Sequence, residues 1–451
     1  MKALAKRAFK RSEKQPQLPE NILAKPKIIP RDKHPISRKD ISEHALKVLY
    51  RLHNSGYQAF LVGGCVRDLI LGLHPKDFDI ATNATPEEVR KLFRNCRLVG
   101  RRFRLAHVVF GKEIIEVATF RGHHSQSDNG MLLRDNVYGT LEEDAQRRDF
   151  TINALYYNIA DFSIIDFADG MRDIEAGIIR MIGDSTTRYR EDPVRMLRAV
   201  RFATKLNMRL DDSVAEPIRE LAPLLQNIPP PRLFDEFLKL FCAGKGQANF
   251  DMLMDYHLFQ QLFPMLKSFL KTPDDTPYRM LREAFGDTDE RLRNQLYITP
   301  AYLFAVVLWW PFQARFEQIM LEGGLPPSDA LNVAAADVIE RQLQTVAIPR
   351  RFGVVVREIW QLQHRLEHAK GKRVQSVLAH PRFRAAYDFL LLRALTAHPS
   401  EQRELERRAH FWTQLQEEPK PGNILPATTN SAKKRGRRGG RRRRVKKLSQ
   451  E

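Results

Sequence analysis

Apolar residues recur along this chain at two periods, and the change from one to the other divides it. Ala45, Val48, Leu49 and Leu52 have helical spacing behind Asp40 and Glu43, which read as a capping-box pair. Ala59, Phe60, Leu61 and Val62 form a short apolar run ending on Gly63 and Gly64, the pattern of a strand entering a tight turn. Residues 66–71 read as a helix stopped by Gly72, residues 78–80 as the next strand, and Thr85 with Glu88 as the cap of a helix reaching Phe93. Two apolar stretches, 105–110 and 114–120, predict a hairpin across Gly111 and Lys112, whereas 123–136 lacks periodicity and predicts a mobile loop. From about residue 170 to 416 the spacing is helical nearly throughout, as at Leu233, Phe234, Phe237, Leu240 and Phe241. The expectation is an α+β chain: a small mixed-sheet head followed by a mostly α-helical body, with disordered basic termini.

Composition narrows this picture. Hydrophobic residues at 43% and charged residues at 28% fit a folded, water-soluble chain. The longest apolar run, 303–310, is about half of the ~20 residues that cross a bilayer, and no apolar stretch of signal-peptide type follows the basic N-terminus. Cys65, Cys96 and Cys242 are odd in number and far apart, which suggests neither a disulfide framework nor a zinc site, and a cytoplasmic protein with reduced thiols is expected. Of the net +20, residues 1–39 supply +9 and residues 433–451 supply +10, so the body between them is nearly neutral. Five segments follow: an extended basic arm over 1–36, the head over 37–170, a helical neck over 171–240, a helical body over 241–416, and a Pro/Gly linker with an Arg-rich tail over 417–451. Cationic arms of this kind displace counterions from a polyphosphate, which favours RNA as the partner over a solubilising role or an anionic membrane surface.

The candidate chemistry centres on Asp77-Phe78-Asp79. Side chains at i and i+2 of a strand share a face, so Asp77 and Asp79 project together and repel unless cations lie between them. A pair of Mg²⁺ ions (or Mn²⁺) about 4 Å apart uses both acids. Gly63 and Gly64, turning into a helix, offer backbone N–H groups to a phosphate, with Arg67 one turn on and in reach of the same anion. Asp192 before Pro193 suits a helix N-cap, and Arg195, Arg198 and Arg201 recur every third residue beyond it; three such cations call for an anionic partner, a triphosphate or RNA backbone.

Four motifs in order, Leu61-Val62-Gly63-Gly64-Cys65-Val66-Arg67-Asp68, Asp77-Phe78-Asp79, Arg147-Arg148-Asp149-Phe150-Thr151-Ile152-Asn153 and Glu191-Asp192-Pro193-Val194-Arg195-Met196-Leu197-Arg198, resemble the class II nucleotidyltransferases, a family of bacterial poly(A) polymerases and tRNA CCA-adding enzymes. The resemblance covers residues 37–240. It implies that Asp77 and Asp79 are catalytic metal-binding carboxylates and that the third acid is Asp149 or Glu116. Arg148 and Asn153 would meet triphosphate and sugar, Gly63, Gly64, Arg67 and Arg198 would belong to the nucleotide site, and Asp192 and Arg195 would read the base. Leu98-Val99-Gly100-Arg101-Arg102-Phe103-Arg104-Leu105 resembles a signature of the poly(A) polymerase branch. That branch implies ATP as substrate, RNA 3′ ends as acceptors met by Arg101, Arg102, Arg437, Arg438, Arg441 and Arg442, RNA-decay factors as partners, and a monomer. The alternatives are a CCA-adding enzyme and a non-catalytic RNA-binding protein on a transferase fold.

Overall fold

The apolar run 59–62 is buried at every residue, as expected of a strand covered on both faces. It lies inside an eight-stranded sheet in a computed structural model that describes residues 25–100, 104–122, 125–126, 132–134 and 138–417. The strands are β1 (Lys27–Ile29), β2 (Ala59–Val62), β3 (Asp79–Thr82), β4 (Cys96–Val99), β5 (Leu105–Phe110), β6 (Glu113–Thr119), β9 (Leu155–Asn158) and β10 (Ile164–Asp166), with β7 (Ser125–Gln126) and β8 (Leu132–Arg134) forming a separate short hairpin. The sheet runs β1-β10-β9-β2-β3-β6-β5-β4. Every pairing is antiparallel except that of β3 with β6.

Helices α1 (Glu43–Asn54) and α3 (Pro86–Leu92) pack on the face that carries Ile80, Ala106, Val108, Ile115 and Val117. The Thr85–Glu88 capping box of α3 is present. The cap of α1 is Ser42, whose side chain accepts from the His44 amide; Asp40 lies in the preceding turn, too far upstream to serve. Short helices α2 (Gly64–Ile70), α4 (Leu141–Gln146) and α5 (Gly170–Ala176) flank the sheet. Next come α6 (Ser185–Glu191) and α7 (Val194–Leu206), then helices through Glu417.

The α+β expectation holds: a mixed-sheet head leads into a helical body. One hydrophobic core runs continuously from Ile36 through the sheet to Trp360 and Phe389, and a second gathers Leu366, Val377, Phe383, Tyr387, Leu390 and Trp412. The described part of the N-terminal segment, residues 25–36, docks on the head. Within 1–36, Lys27–Ile29 adds to the sheet edge beside β10 and Ile36 is buried, because an amide ladder and an apolar anchor outweigh the prolines around them. Most of 123–136, with the segments 1–24 and 418–451, lies outside the described residues.

Candidate active site

β3 begins at Asp79, and Asp77 sits in the bend just before it rather than within the strand. Alternation nevertheless carries across the bend: Phe78 and Ile80 are buried, while Asp77 and Asp79 are exposed. The parallel neighbour β6 sets Glu116 directly opposite Asp79. Paired residues of adjacent strands project from one face, so the Glu116 carboxylate lies beside that of Asp79. Among the described residues no close basic side chain pairs with Asp77 or Asp79. The Asp79 carboxyl is pushed up to about 6, first by the protein crowding it and then by the charge of Glu116, with Asp77 adding and Arg148 opposing. His107, across β5, brings Nε2 to 3.4 Å from Glu116 Oε1.

Gly63 turns the chain between β2 and α2 at φ 75°, ψ −130°, a conformation that side chains disfavour. A Cβ there would lie 3.3 Å from Arg148 Nη1. Arg148 is held from below: its Nη2 donates to Asp144 Oδ2 at 3.0 Å and its Nε to the Tyr156 hydroxyl at 2.9 Å, and that hydroxyl donates to Asp144 at 2.7 Å. Burial works against the charge of this guanidinium, but Tyr156 and Asp144 outweigh it and keep Arg148 protonated.

Arg67, expected at the phosphate, is 2% exposed. It lies under the glycine turn, donating to Asp68 Oδ1 at 2.8 Å and to Asn153 Oδ1 at 2.6 Å. Asn153 in turn donates to Asp149 Oδ1 at 3.1 Å, and Arg198 Nε donates to Asp149 Oδ2 at 2.6 Å. Burial works against the Asp149 charge, but Arg198, Asn153 and the Phe150 amide together hold its carboxyl down to about 2. A continuous relay, Asp68–Arg67–Asn153–Asp149–Arg198, thus ties α2 to α7 beneath the turn.

Each of the three arginines of α7, expected to need an external anion, has an acid of the protein within 4.0 Å, although Glu191 is shared with Arg188 and Glu236 with Lys239. Arg195 Nη1 bonds Glu191 Oε2 at 2.9 Å, Arg198 bonds Asp149, and Arg201 Nε lies 4.0 Å from Glu236 Oε2. Asp192 Oδ1 accepts from the Val194 amide at 3.2 Å and its Oδ2 from Arg232 at 2.7 Å; the N-cap of α7 is Pro193, and Asp192, expected there, closes the preceding helix one residue upstream. Local pattern could not reveal Arg232, which approaches from a helix 40 residues away. The same holds for Arg188, which donates to the carbonyls of Arg147 and Arg148 at 2.7 and 2.6 Å.

A cavity of about 570 Å³ opens between these elements, lined by Ala118, Arg148, Asp149, Asp192, Arg195, Arg198 and Arg232 among others. It has the size of a nucleotide site and borders the acid cluster through Ala118, two residues beyond Glu116 on the same face of β6. A larger cleft of about 830 Å³ lies in the helical body near Pro264, Arg315 and Arg341, with none of these acids on its walls. Arg101, Arg102, Arg437, Arg438, Arg441 and Arg442 lie outside the described residues.

Facing acids on two adjacent strands, next to an arginine-lined cavity of nucleotide size, define the head of a nucleotidyltransferase. Residues 59–180 match the family described as "Poly A polymerase head domain", residues 207–270 that described as "Probable RNA and SrmB- binding site of polymerase A", and residues 323–447 that described as "Polymerase A arginine-rich C-terminus". Over 410 residues the chain is 55% identical to poly(A) polymerase I of Salmonella typhimurium, with 88% of each covered, and 54% identical to that of Escherichia coli O6:H1 over the same shares. The chain belongs to the bacterial poly(A) polymerases. It also resembles the solved Bacillus stearothermophilus CCA-adding enzyme in complex with CTP, at 27% identity and a TM-score of 0.53, with 81% of this chain and 82% of that one covered.

Proposed function

We propose that the protein transfers adenylate from ATP to the 3′-hydroxyl of RNA, using Asp77, Asp79 and Glu116 to hold divalent cations. The donor set suits Mg²⁺ or Mn²⁺: hard carboxylate oxygens crowded against one another, with His107 beside Glu116 and no Lys or Arg side chain paired to any of the three among the described residues. Among the described residues no three acid, His or Cys side chains form a ready-made cage, so water and substrate phosphates would have to complete the coordination of a cation held here. When bound, such ions supply positive charge at the attacking hydroxyl and at the leaving pyrophosphate.

The chain's own groups do the rest. A bond forms between the RNA 3′-oxygen and the α-phosphorus of ATP as the bridging bond to the β-phosphate breaks; pyrophosphate leaves with the electron pair, and the hydroxyl proton passes to water. Arg148, buttressed by Asp144 and Tyr156, faces the triphosphate beside the glycine turn of Gly63 and Gly64. Arg198 and Asn153 complete that wall, with Asp149 as the positioning residue that fixes both. Asp192 and Arg195 border the base. Residues 37–170 act as the catalytic head, 171–240 as the neck, and 241–416 as the body that presents RNA. The basic segments 1–36 and 417–451 add salt-sensitive affinity for RNA. The tails so made would expose RNA 3′ ends to decay factors.

The observation that carries this reading is the placement of Asp79 and Glu116 at one register position of two parallel strands. Its test is AMP incorporation into RNA by Asp79→Ala and Glu116→Gln, with RNA retention on filters measured alongside. Incorporation should fall by roughly 10³-fold or more while retention persists; near-normal turnover in both variants refutes the assignment. Supplying ATP alone, or ATP with CTP, on RNA of arbitrary sequence distinguishes long A tracts from a terminal CCA.

A further inference from the structure

The row of paired residues that holds the acids continues across the sheet. Asp79 on β3 faces Glu116 on β6, Glu116 faces His107 on β5, and His107 faces Arg97 on β4. All four side chains project from the face opposite α1 and α3, over three strand spacings of about 4.8 Å each. The same half-face carries Leu105, Val99 and Ile114, the last two 45% and 46% exposed. Arg97 is exposed as well, with no acid paired to it among the described residues. The charge therefore changes along the row, from two carboxylates to an imidazole and a free guanidinium, over an apolar floor.

Direction gives this row a meaning. In an in-line displacement the attacking oxygen and the departing pyrophosphate lie on opposite sides of the α-phosphorus. The arginine-lined cavity reaches the acids from α7, from Ala118 and from Arg148 beside the glycine turn that follows β2, which leaves the β5 and β4 side as the approach for the attacking RNA. We propose that the open half-face of β6, β5 and β4 seats the last nucleotides of the RNA, with Arg97 and His107 at the terminal phosphodiester and Ile114, Leu105 and Val99 against ribose and base. A cation at the far end of the row would hold the backbone, and apolar and imidazole surfaces would accept a sugar or base without reading its identity. This rests on the adenylyltransferase reading and adds to it the place of the acceptor.

Arg97→Ala and His107→Gln, with Arg90→Ala on the opposite face as control, would be assayed with short single-stranded oligo(A) at saturating ATP. The KM for oligo(A) should rise roughly tenfold for Arg97→Ala, the loss expected of one phosphate contact, with kcat and the KM for ATP within twofold of the parent. The salt dependence of the oligo(A) KM should become shallower by roughly 0.7 in log–log slope, one single-strand phosphate contact. An unchanged KM for oligo(A) in both variants, or a rise confined to the KM for ATP, overturns the assignment. Photo-crosslinking from a thiouridine at the RNA 3′ end, without ATP, reads the seat independently of turnover. Crosslinks on residues 97–118 support the seat even if the parent transfers no adenylate, an outcome that would sink the polymerase reading alone. Crosslinks confined to the basic tail overturn the seat.

Discussion

At Gly63 the backbone adopts φ 75° while Arg148 approaches to within 3.3 Å of where a Cβ would stand. Gly63→Ala therefore strains the turn and pushes the guanidinium aside. A loss of about 1–3 kcal/mol in urea unfolding is expected, together with a raised KM for ATP; an unchanged melt and KM would show that the turn tolerates a side chain. Asp149 makes a different kind of prediction. Its folded pKa of about 2 lies below the ordinary carboxylate value of 3.8. The stability it confers is thus fully present above about pH 4 and is lost as the pH falls toward 2. Asp149→Asn should cost roughly 2 kcal/mol at neutral pH, and the gap between variant and parent should close when unfolding is measured near pH 2. A gap that stays constant with pH would mean that Arg198 does not depend on this charge. The paired acids were legible in the sequence because strand alternation is a local rule. The fates of Arg67 and Arg195 were not, because their partners Asn153 and Glu191 could be weighed against an external phosphate only once the chain was folded.

Among the elements, those with local punctuation were readable: β2 ending on a glycine pair, α3 opening on a capping box, and the β5–β6 hairpin across Gly111. Thr85→Ala removes one half of that box and should lower stability by about 1 kcal/mol, measured by thermal melting, with adenylate transfer at low temperature unchanged. A melt identical to the parent's would mean that the first turn of α3 is held by packing alone. The edge strands β1 and β4 escaped notice for a physical reason. Each is short and carries charges that read as surface, Lys27 and Arg97, and each is a strand only because a distant partner, β10 or β5, supplies its hydrogen bonds. The neck helix that carries Arg232 was predicted as a helix, yet its contact with Asp192 depends on how helices cross, which apolar spacing does not encode.

For the whole molecule, the proposed function and the uneven charge of the sequence together would give two layers of RNA contact, a long-range one from the cationic ends and a short-range one at the acids. Removing residues 433–451 should weaken RNA binding most at low salt and flatten its salt dependence while leaving adenylate transfer at saturating RNA near the parent rate. A salt slope equal to the parent's would exclude the tail from the contact. The class of fold was legible from the change in period near residue 170; the continuity of one core from head to body was not, since it arises from residues hundreds of positions apart. The order of the sheet also has a bearing on how the protein is born. β1 is the first of its strands to leave the ribosome, and its partner β10, 135 residues later by the pairing of Ile29 with Ile164, is the last. Until then the nascent chain carries an unclosed sheet edge, at β2 until β9 is made and at β9 until β10 follows, so stalling or truncation between these points should yield a sticky, inactive fragment rather than a smaller working enzyme.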